Sequence, residues 1–262
     1  MKVEGSTPPQ LLYFTEHGSE PGSALLLIHG LMITGEMFEP VTEELANHHH
    51  VIIPDLRGCG KSRNLPPPYT VKQQAEDLVQ LLYHLKIEST DVLGYSQGGP
   101  VAEQLAVDHP KLVHRLILSN TYAYNTVSIS EKIEGGLIPL FIRLFGMRGF
   151  ARLGGSMGIR QVPKERRQMF KRINNLIAEQ DPKIMIAEWK DAMAFDGRSR
   201  LFEIKCPTLI IAGSRDQAVP MHHAEMLHKG IKGSRLVVIE GADHALIWED
   251  PDKFLRVVEG FI

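Results

Sequence analysis

Three side chains of this 262-residue chain have the types and placement for nucleophilic attack on a carbonyl: Ser96, Asp216 and His244. Ser96 is the centre of Gly94-Tyr95-Ser96-Gln97-Gly98, with Gly99 following. The apolar run before it reads as a strand and the stretch after it as an amphipathic helix. A serine in such a tight strand-to-helix turn is held in a strained, exposed position. Glycines two residues to either side are needed because Cβ atoms there would clash. The hydroxyl then stands at the carboxyl end of a sheet, where open α/β sheets bind ligands. The N–H of Gln97 lies at a helix N-terminus and faces developing negative charge. A bare Gly-x-Ser-x-Gly is a weak signal; its place between strand and helix gives it weight.

A serine hydroxyl needs a base that titrates near neutrality, hence a histidine. The chain has twelve. His48, His49 and His50 are consecutive, do not converge on one ion, and lead into a strand at Val51. His222 and His223 stand at a helix start. His29 reads as a turn residue bonded to backbone. His244 differs, because it ends the loop Gly241 to His244 between a strand and the last helix. That places it above the carboxyl edge, within reach of Ser96. The imidazole in turn needs a carboxylate to fix its tautomer. Asp216 follows the strand ending Ala212-Gly213, at the same edge. Asp243 adjoins His244 but points elsewhere from the next backbone position. Gly30 lets the chain turn sharply beneath the site, so the N–H of Leu31 becomes the second oxyanion donor, with Met32 as the fallback.

Two other patterns are decoys. Asp55 to Ser62 resembles a phosphate-binding loop, but Asp55 occupies the position of the required glycine. Pro66, Pro67 and Pro68 stand where the following helix should run. Asp55, Arg57, Gly58 and Gly60 are expected instead to fold a tight loop near the site. Metal-ligand spacings such as His-Glu-x-x-His or paired Cys-x-x-Cys are absent, so neither metal nor cofactor is expected.

These residues must be positioned by a regular framework. Ala24 to His29, Val51 to Pro54, Asp91 to Tyr95, Val113 to Ser119, Pro207 to Gly213 and Arg235 to Glu240 are short apolar runs suited to strands covered on both faces. Helical stretches alternate with them at Met37 to Asn47, Val71 to Leu85, Gly99 to His109, Pro220 to Lys229 and Pro251 to Phe261. The alternation predicts a mostly parallel, doubly wound α/β sheet with right-handed crossovers. Leu11 to Thr15 is expected as an antiparallel edge. From Thr121 to Lys205 the strands stop. Helical stretches near Ser130 to Phe145, Pro163 to Ala178 and Pro182 to Phe195 are separated by glycines. The expected organisation is a core of residues 1–120 and 206–262, with 121–205 a helical cap inserted between strands.

Composition sets the remaining bounds. Charged residues make up 23% and the net charge is -2, so neither nucleic acid nor membrane is an expected partner. No apolar run approaches a membrane span and no signal peptide is visible, which predicts a cytoplasmic protein. Cys59 and Cys206 are the two cysteines, expected as free thiols. The cap's cluster Lys164, Arg166, Arg167, Lys171 and Arg172 reads as a solvated helix face. Its Met147, Met157, Met169, Met185 and Met193 read individually as packing residues, though methionine also suits varied apolar ligands.

The chain order serine, aspartate, histidine resembles that of α/β-hydrolases. The likeness extends from about Leu25 to Phe261. It is carried by Leu27 to Gly30, Asp55 to Ser62, Gly94 to Gly99, Gly213 to Asp216 and Gly241 to His244. It is most similar to the small microbial branch of carboxylesterases, enol-lactonases, carbon–carbon bond hydrolases and cofactor-free haloperoxidases. Serine at position 96 separates the chain from haloalkane dehalogenases and epoxide hydrolases, which carry aspartate there. A second place where such folds put the acid, after Val113 to Ser119, holds Asn120, which is no full carboxylate. The resemblance implies a serine hydrolase acting on a small-molecule ester or lactone of mainly apolar character. Carbon–carbon hydrolysis, perhydrolysis or acyl transfer on the same three residues, and a slow-turnover ligand receptor, are the alternatives.

Overall fold

The computed structural model describes residues 3–4, 11–18, 23–160 and 162–262. In chain order, β1 (Val3–Glu4), β2 (Phe14–His17) and β3 (Ser23–Ile28) precede α1 (Glu39–Ala46) and β4 (His49–Pro54). Then come α2 (Val71–His84), β5 (Thr90–Tyr95), α3 (Gly98–Asp108) and β6 (Val113–Ser119). Three helices follow without a strand: α4 (Ile129–Gly158), α5 (Arg167–Ala178) and α6 (Pro182–Ala194). The alternation resumes with β7 (Thr208–Gly213), α7 (Met221–Gly230), β8 (Arg235–Ile239), α8 (Leu246–Glu249) and α9 (Pro251–Glu259).

The strands form one sheet in the order β1-β2-β4-β3-β5-β6-β7-β8. In the sheet's order, pairing is parallel from β4 to β8; β2 runs antiparallel to β4, and the two-residue β1 runs antiparallel to β2 at the edge. Strand order reverses at β3, which pairs with β4 on one side and β5 on the other. Such a switch point opens a crevice beyond the carboxyl ends of the two strands. The central strands are apolar because both faces are covered. Leu26, Ile28 and Val92 pack with Ala75 and Leu78 of α2, Leu105 of α3 and Leu227 of α7. Leu25, Leu27 and Leu93 pack on the other face with Val41 of α1 and Phe254 of α9. Alternate residues of one strand thus serve opposite layers.

The structure moves several boundaries. The edge strand starts at Phe14, three residues later than the apolar pattern suggested, because it pairs Phe14 with Pro54 and His17 with Val51. His49 and His50 belong to β4 itself. The helix expected from Met37 begins only at Glu39, after a single tighter turn from Gly35 to Phe38. The largest change lies in α4. Ser128 caps it, accepting from the Glu131 N–H while the Glu131 carboxylate accepts from the Ser128 N–H. That reciprocal box fixes the start. Gly146, at φ 65 and ψ 179, leaves the helical conformation and divides α4 into two helical stretches, 129–145 and 147–158, so the first ends at Phe145 as expected. The difference from expectation lies in the later glycines, Gly149, Gly154, Gly155 and Gly158, which fall within the second stretch and do not separate it from the first. An isolated antiparallel bridge between Tyr124 and Asp196 joins the points where the three-helix segment leaves and rejoins the sheet. Cys59 and Cys206 are both free thiols. Among the described residues, no helix is long and apolar enough to cross a membrane.

Candidate active site

Ser96 sits between β5 and α3 with φ +53, in the left-handed region that side chains other than glycine rarely adopt. Three contacts hold it there. Its N–H donates to the Ser119 carbonyl at 3.0 Å, and its own carbonyl accepts from Gly99 N–H at 2.9 Å and Thr121 Oγ1 at 2.5 Å. The flanking glycines are required by space. A Cβ on Gly94 would lie 2.5 Å from the Gly98 carbonyl oxygen, and one on Gly98 would lie 2.2 Å from that of Ile28. Neither obstacle is a flexible side chain, so the turn closes only with glycine at both positions.

His244 reaches over this turn from the loop after β8. Its Nε2 is 3.1 Å from Ser96 Oγ and its Nδ1 is 2.8 Å from Asp216 Oδ2. Donation from Nδ1–H to the carboxylate leaves the Nε2 lone pair facing the serine hydroxyl. The backbone of His244 is fixed as well: its N–H donates to Asp243 Oδ1 at 2.7 Å, and its carbonyl accepts from the Tyr95 hydroxyl. Asp243 therefore serves its neighbour's backbone, and Asp216 serves the ring.

Asp216 is 6% exposed and receives four donors. Oδ1 accepts from the N–H groups of Ala218 and Val219 at 2.9 and 2.8 Å. Oδ2 accepts from His244 Nδ1 and, at 2.9 Å, from Asn120 Nδ2. Burial alone would push the Asp216 carboxyl up. The facing His244 charge and these hydrogen bonds outweigh it and hold the group below its usual range. His244 shows the converse balance. Burial would lower its pKa, but the adjacent Asp216 charge prevails and raises it above the ordinary histidine value.

Asn120 is the participant that sequence reasoning passed over as a failed acid. It follows β6 in the left-handed region, φ +49, and its N–H donates to the Ile211 carbonyl at 2.8 Å. That posture aims its amide at Asp216. The position was readable from the end of β6; the amide's role as a donor to a carboxylate from a different strand was not.

The turn after β3 lies directly beneath. A Cβ on Gly30 would be 3.2 Å from Ser96 Cβ, so the two backbones nearly touch. Among the described residues, neither the N–H of Leu31 nor that of Gln97 has an acceptor within the protein. Gln97 starts α3 with helical φ −57 and ψ −25, and its side-chain Oε1 accepts from the Tyr122 hydroxyl. Leu31 follows directly on the glycine in contact with Ser96. His29 braces this turn. Its Nδ1 donates to the Gly30 carbonyl at 2.7 Å and its Nε2 accepts from Leu56 N–H at 2.9 Å. One nitrogen donates and the other accepts, so the ring is neutral; its burial, opposed by Asp55, lowers its pKa.

The loop that resembles a phosphate cradle is filled by its own side chain. Asp55 accepts from Gly35 N–H and Lys61 N–H, each at 2.9 Å, and a Cβ on Gly60 would strike its carboxylate at 2.3 Å. Arg57 clamps Asp77 through two 2.6 Å bonds. No space for a phosphate remains inside that turn.

The three-helix segment meets the turn after β3 through an apolar cluster. Met32 and Cys59 pack there against Ile142 and Met147 of α4 and Met185 of α6, with Leu31, Ile138 and Trp189 at its margin. The side chains of Met157 and Met169 lie outside the described residues. A polar joint ties the same segment to the core elsewhere. Glu131 Oε1 lies 2.9 Å from Nε2 of both His222 and His223, and its Oε2 accepts from Ser128 N–H. These ligand-type atoms fall within 4.8 Å of one another. Of the basic cluster, Arg172 pairs with Glu36 and Glu39 at 2.8 and 2.6 Å. A crevice of about 760 Å³, lined among others by Tyr13, Lys61 and Arg172, opens away from the chain of bonded side chains and includes none of Ser96, Asp216 and His244.

Comparison with known proteins agrees with this architecture. Residues 23–251 match the family model described as the alpha/beta hydrolase fold. An esterase from Exiguobacterium antarcticum superposes with a TM-score of 0.87 at 26% identity, over 95% of this chain and 94% of that one. The enol-lactonase from Burkholderia xenovorans superposes with a TM-score of 0.81 at 25% identity, over 95% of each chain. The human protein named serine hydrolase BPHL is 28% identical over 96% of this chain and 82% of its own length.

Proposed function

The chain belongs to the α/β-hydrolase family, and on that footing we propose that it is a serine hydrolase cleaving a carboxylic ester or lactone with a mainly apolar acyl part. The observation that carries the reading is the unbroken run Ser96 Oγ, His244 Nε2, His244 Nδ1 and Asp216 Oδ2, with separations of 3.1 and 2.8 Å. His244 takes the Ser96 proton as Oγ attacks the carbonyl carbon. The N–H groups of Leu31 and Gln97 receive the oxyanion. Collapse expels the alcohol, which takes the proton from His244. The acyl group stays on Ser96 until a water, deprotonated by the same imidazole, releases it as the acid. Nucleophile, base and oxyanion donors come from the chain itself, so this scheme calls for no metal or cofactor. The esterase and enol-lactonase relatives support an ester or lactone as substrate. The test is labelling of Ser96 by a fluorophosphonate, followed by turnover of p-nitrophenyl esters and a panel of lactones. A protein that is neither labelled nor active on any of them contradicts the proposal.

The pH profile follows from the site. His244 acts as base only when neutral, and Asp216 holds its pKa above the ordinary value. The rate kcat/KM is therefore expected to rise with pH through a midpoint above about 6.5, then level off. Asp216, whose pKa is lowered, stays ionised throughout that rise. A measured midpoint well on the acid side of 6.5 speaks against the His244–Asp216 assignment.

We further propose that residues 121–205 act as a cap whose inner face limits the acyl pocket. Ile142 is buried against Met32, next to the proposed oxyanion donor Leu31. Ile142→Ala is expected to favour longer acyl chains, because each methylene accommodated in such a pocket is worth about 1–3 kcal/mol. The check is kcat/KM across p-nitrophenyl acetate, butyrate, hexanoate and octanoate. An equal change for all four removes the cap from specificity.

A further inference from the structure

We propose that the outer face of α4 is a docking surface for an anionic phospholipid bilayer. Five residues of that helix, Ile129, Ile133, Leu137, Leu140 and Leu144, recur at intervals of three and four residues and so form one stripe. Each is half exposed or more, from 50% at Leu140 to 77% at Ile129. The helix does not need this stripe for packing. Its inward side is supplied by Ile142, 1% exposed, and Ile138, which packs in the same apolar cluster. α4 thus carries apolar residues on two sides, and only one of them is covered. A contiguous apolar surface in water signals an unseen partner more than a scatter of single side chains does.

Charge decides the kind of partner. From the start of the stripe at 129 to residue 172 the chain has ten Lys and Arg against three acids, Glu131, Glu134 and Glu165, within a protein whose net charge is only -2. The balance of the whole chain, which argued against a membrane partner, averages a basic cap with an acidic remainder. Lys132 and Arg143 are exposed and eleven residues apart, about three turns, so both lie along the same side of the stripe. Arg148 and Arg152, on the helical stretch after the break at Gly146, are exposed as well. Apolar side chains entering the boundary between headgroups and acyl chains, with arginines at the phosphates, match this pattern. A second copy of the chain fits less well, since facing two such helices brings like charges together. The helix lies on the surface and does not span it, for no helix among the described residues is apolar enough to cross. Docking there would hold the proposed pocket against the phase in which apolar esters collect.

The inference is independent of the hydrolytic reading, and its test uses binding alone. The full chain, and separately its Ser96→Ala form, are sedimented with vesicles of phosphatidylcholine, with and without phosphatidylglycerol. Both are expected to bind the anionic vesicles about tenfold or more tightly than the neutral ones, with the difference lost at high salt. Leu137→Ser/Leu140→Ser/Leu144→Ser and, separately, Arg143→Glu/Arg148→Glu are each expected to remove the preference. Unfolding curves by circular dichroism verify that each variant is folded, and the charge pair carries the test if the triple variant is not. Absence of vesicle binding, equal binding to both compositions, or variants that bind like the parent overturn the proposal. So does a dimer in sedimentation velocity that the triple variant dissociates, which would assign the stripe to a second copy.

Discussion

Replacing Ser96 by alanine is expected to lower kcat for p-nitrophenyl butyrate by about 10⁶-fold, the scale seen when the nucleophile of a comparable triad is removed. At about 1.4 kcal/mol per factor of ten, this is a loss of roughly 8 kcal/mol of transition-state stabilisation. Structural side effects are far smaller. The left-handed backbone at position 96 costs about 1–3 kcal/mol for alanine and serine alike. The bonds that hold it, to Ser119, Gly99 and Thr121, use only backbone groups of residue 96. The variant should therefore melt close to the parent and keep its near-ultraviolet circular dichroism. Fluorophosphonate labelling should vanish with activity. Residual hydrolysis from the oxyanion donors and substrate binding should persist at a trace level above the uncatalysed rate. A Ser96→Ala protein that keeps a tenth of the parent's activity removes Ser96 from the mechanism.

Much of this was legible in the residues because the physical constraints involved are local. Six apolar runs became six adjacent strands, since a strand covered on both faces has no polar face to disguise it. The two glycines around Ser96 were required by a turn whose geometry is decided within five residues. Positions after strands placed Asp216 and His244 at one edge of the sheet, and the structure brings their side chains into contact. What stayed hidden depends on partners far along the chain. The edge strand's register is set by pairing with β4 and not by its own alternation. Asn120 donates to an oxygen 96 residues away. Gly146 does what glycine ordinarily does, breaking the helix at positive φ, but the second helical stretch that begins right after it, across Gly149, Gly154 and Gly155, was not readable from a glycine-rich sequence. The stripe on α4 was equally hidden. Apolar residues at helical spacing normally mark the buried face, and only the packing of Ile138 and Ile142 reveals which side is which.

Asp216→Asn is expected to cost about 10⁴-fold in kcat, the scale of the equivalent change in a serine protease, and the reason lies in the count of donors. Four N–H groups converge on the two oxygens of Asp216: Ala218, Val219, Asn120 and His244. An asparagine offers one oxygen and one NH₂. The backbone donors of Ala218 and Val219 cannot turn away, so the amide oxygen is expected to stay with them. The NH₂ then faces Asn120 and His244. Asn120 can rotate its amide to present oxygen, giving up the bond its Oδ1 accepts from Ser119. His244 can adapt only by moving its proton to Nε2, which leaves Nδ1 as the acceptor. That tautomer presents N–H, not a lone pair, to Ser96 Oγ, and the base is lost although no atom has moved far. Removing the charge also removes what raises the His244 pKa, so the midpoint of the remaining activity should shift to lower pH. KM should change little, because the aspartate does not touch substrate. Kinetics across pH with both proteins decide the matter. A large loss of kcat with an unchanged midpoint would mean that Asp216 supports the loop's shape and not the imidazole's charge.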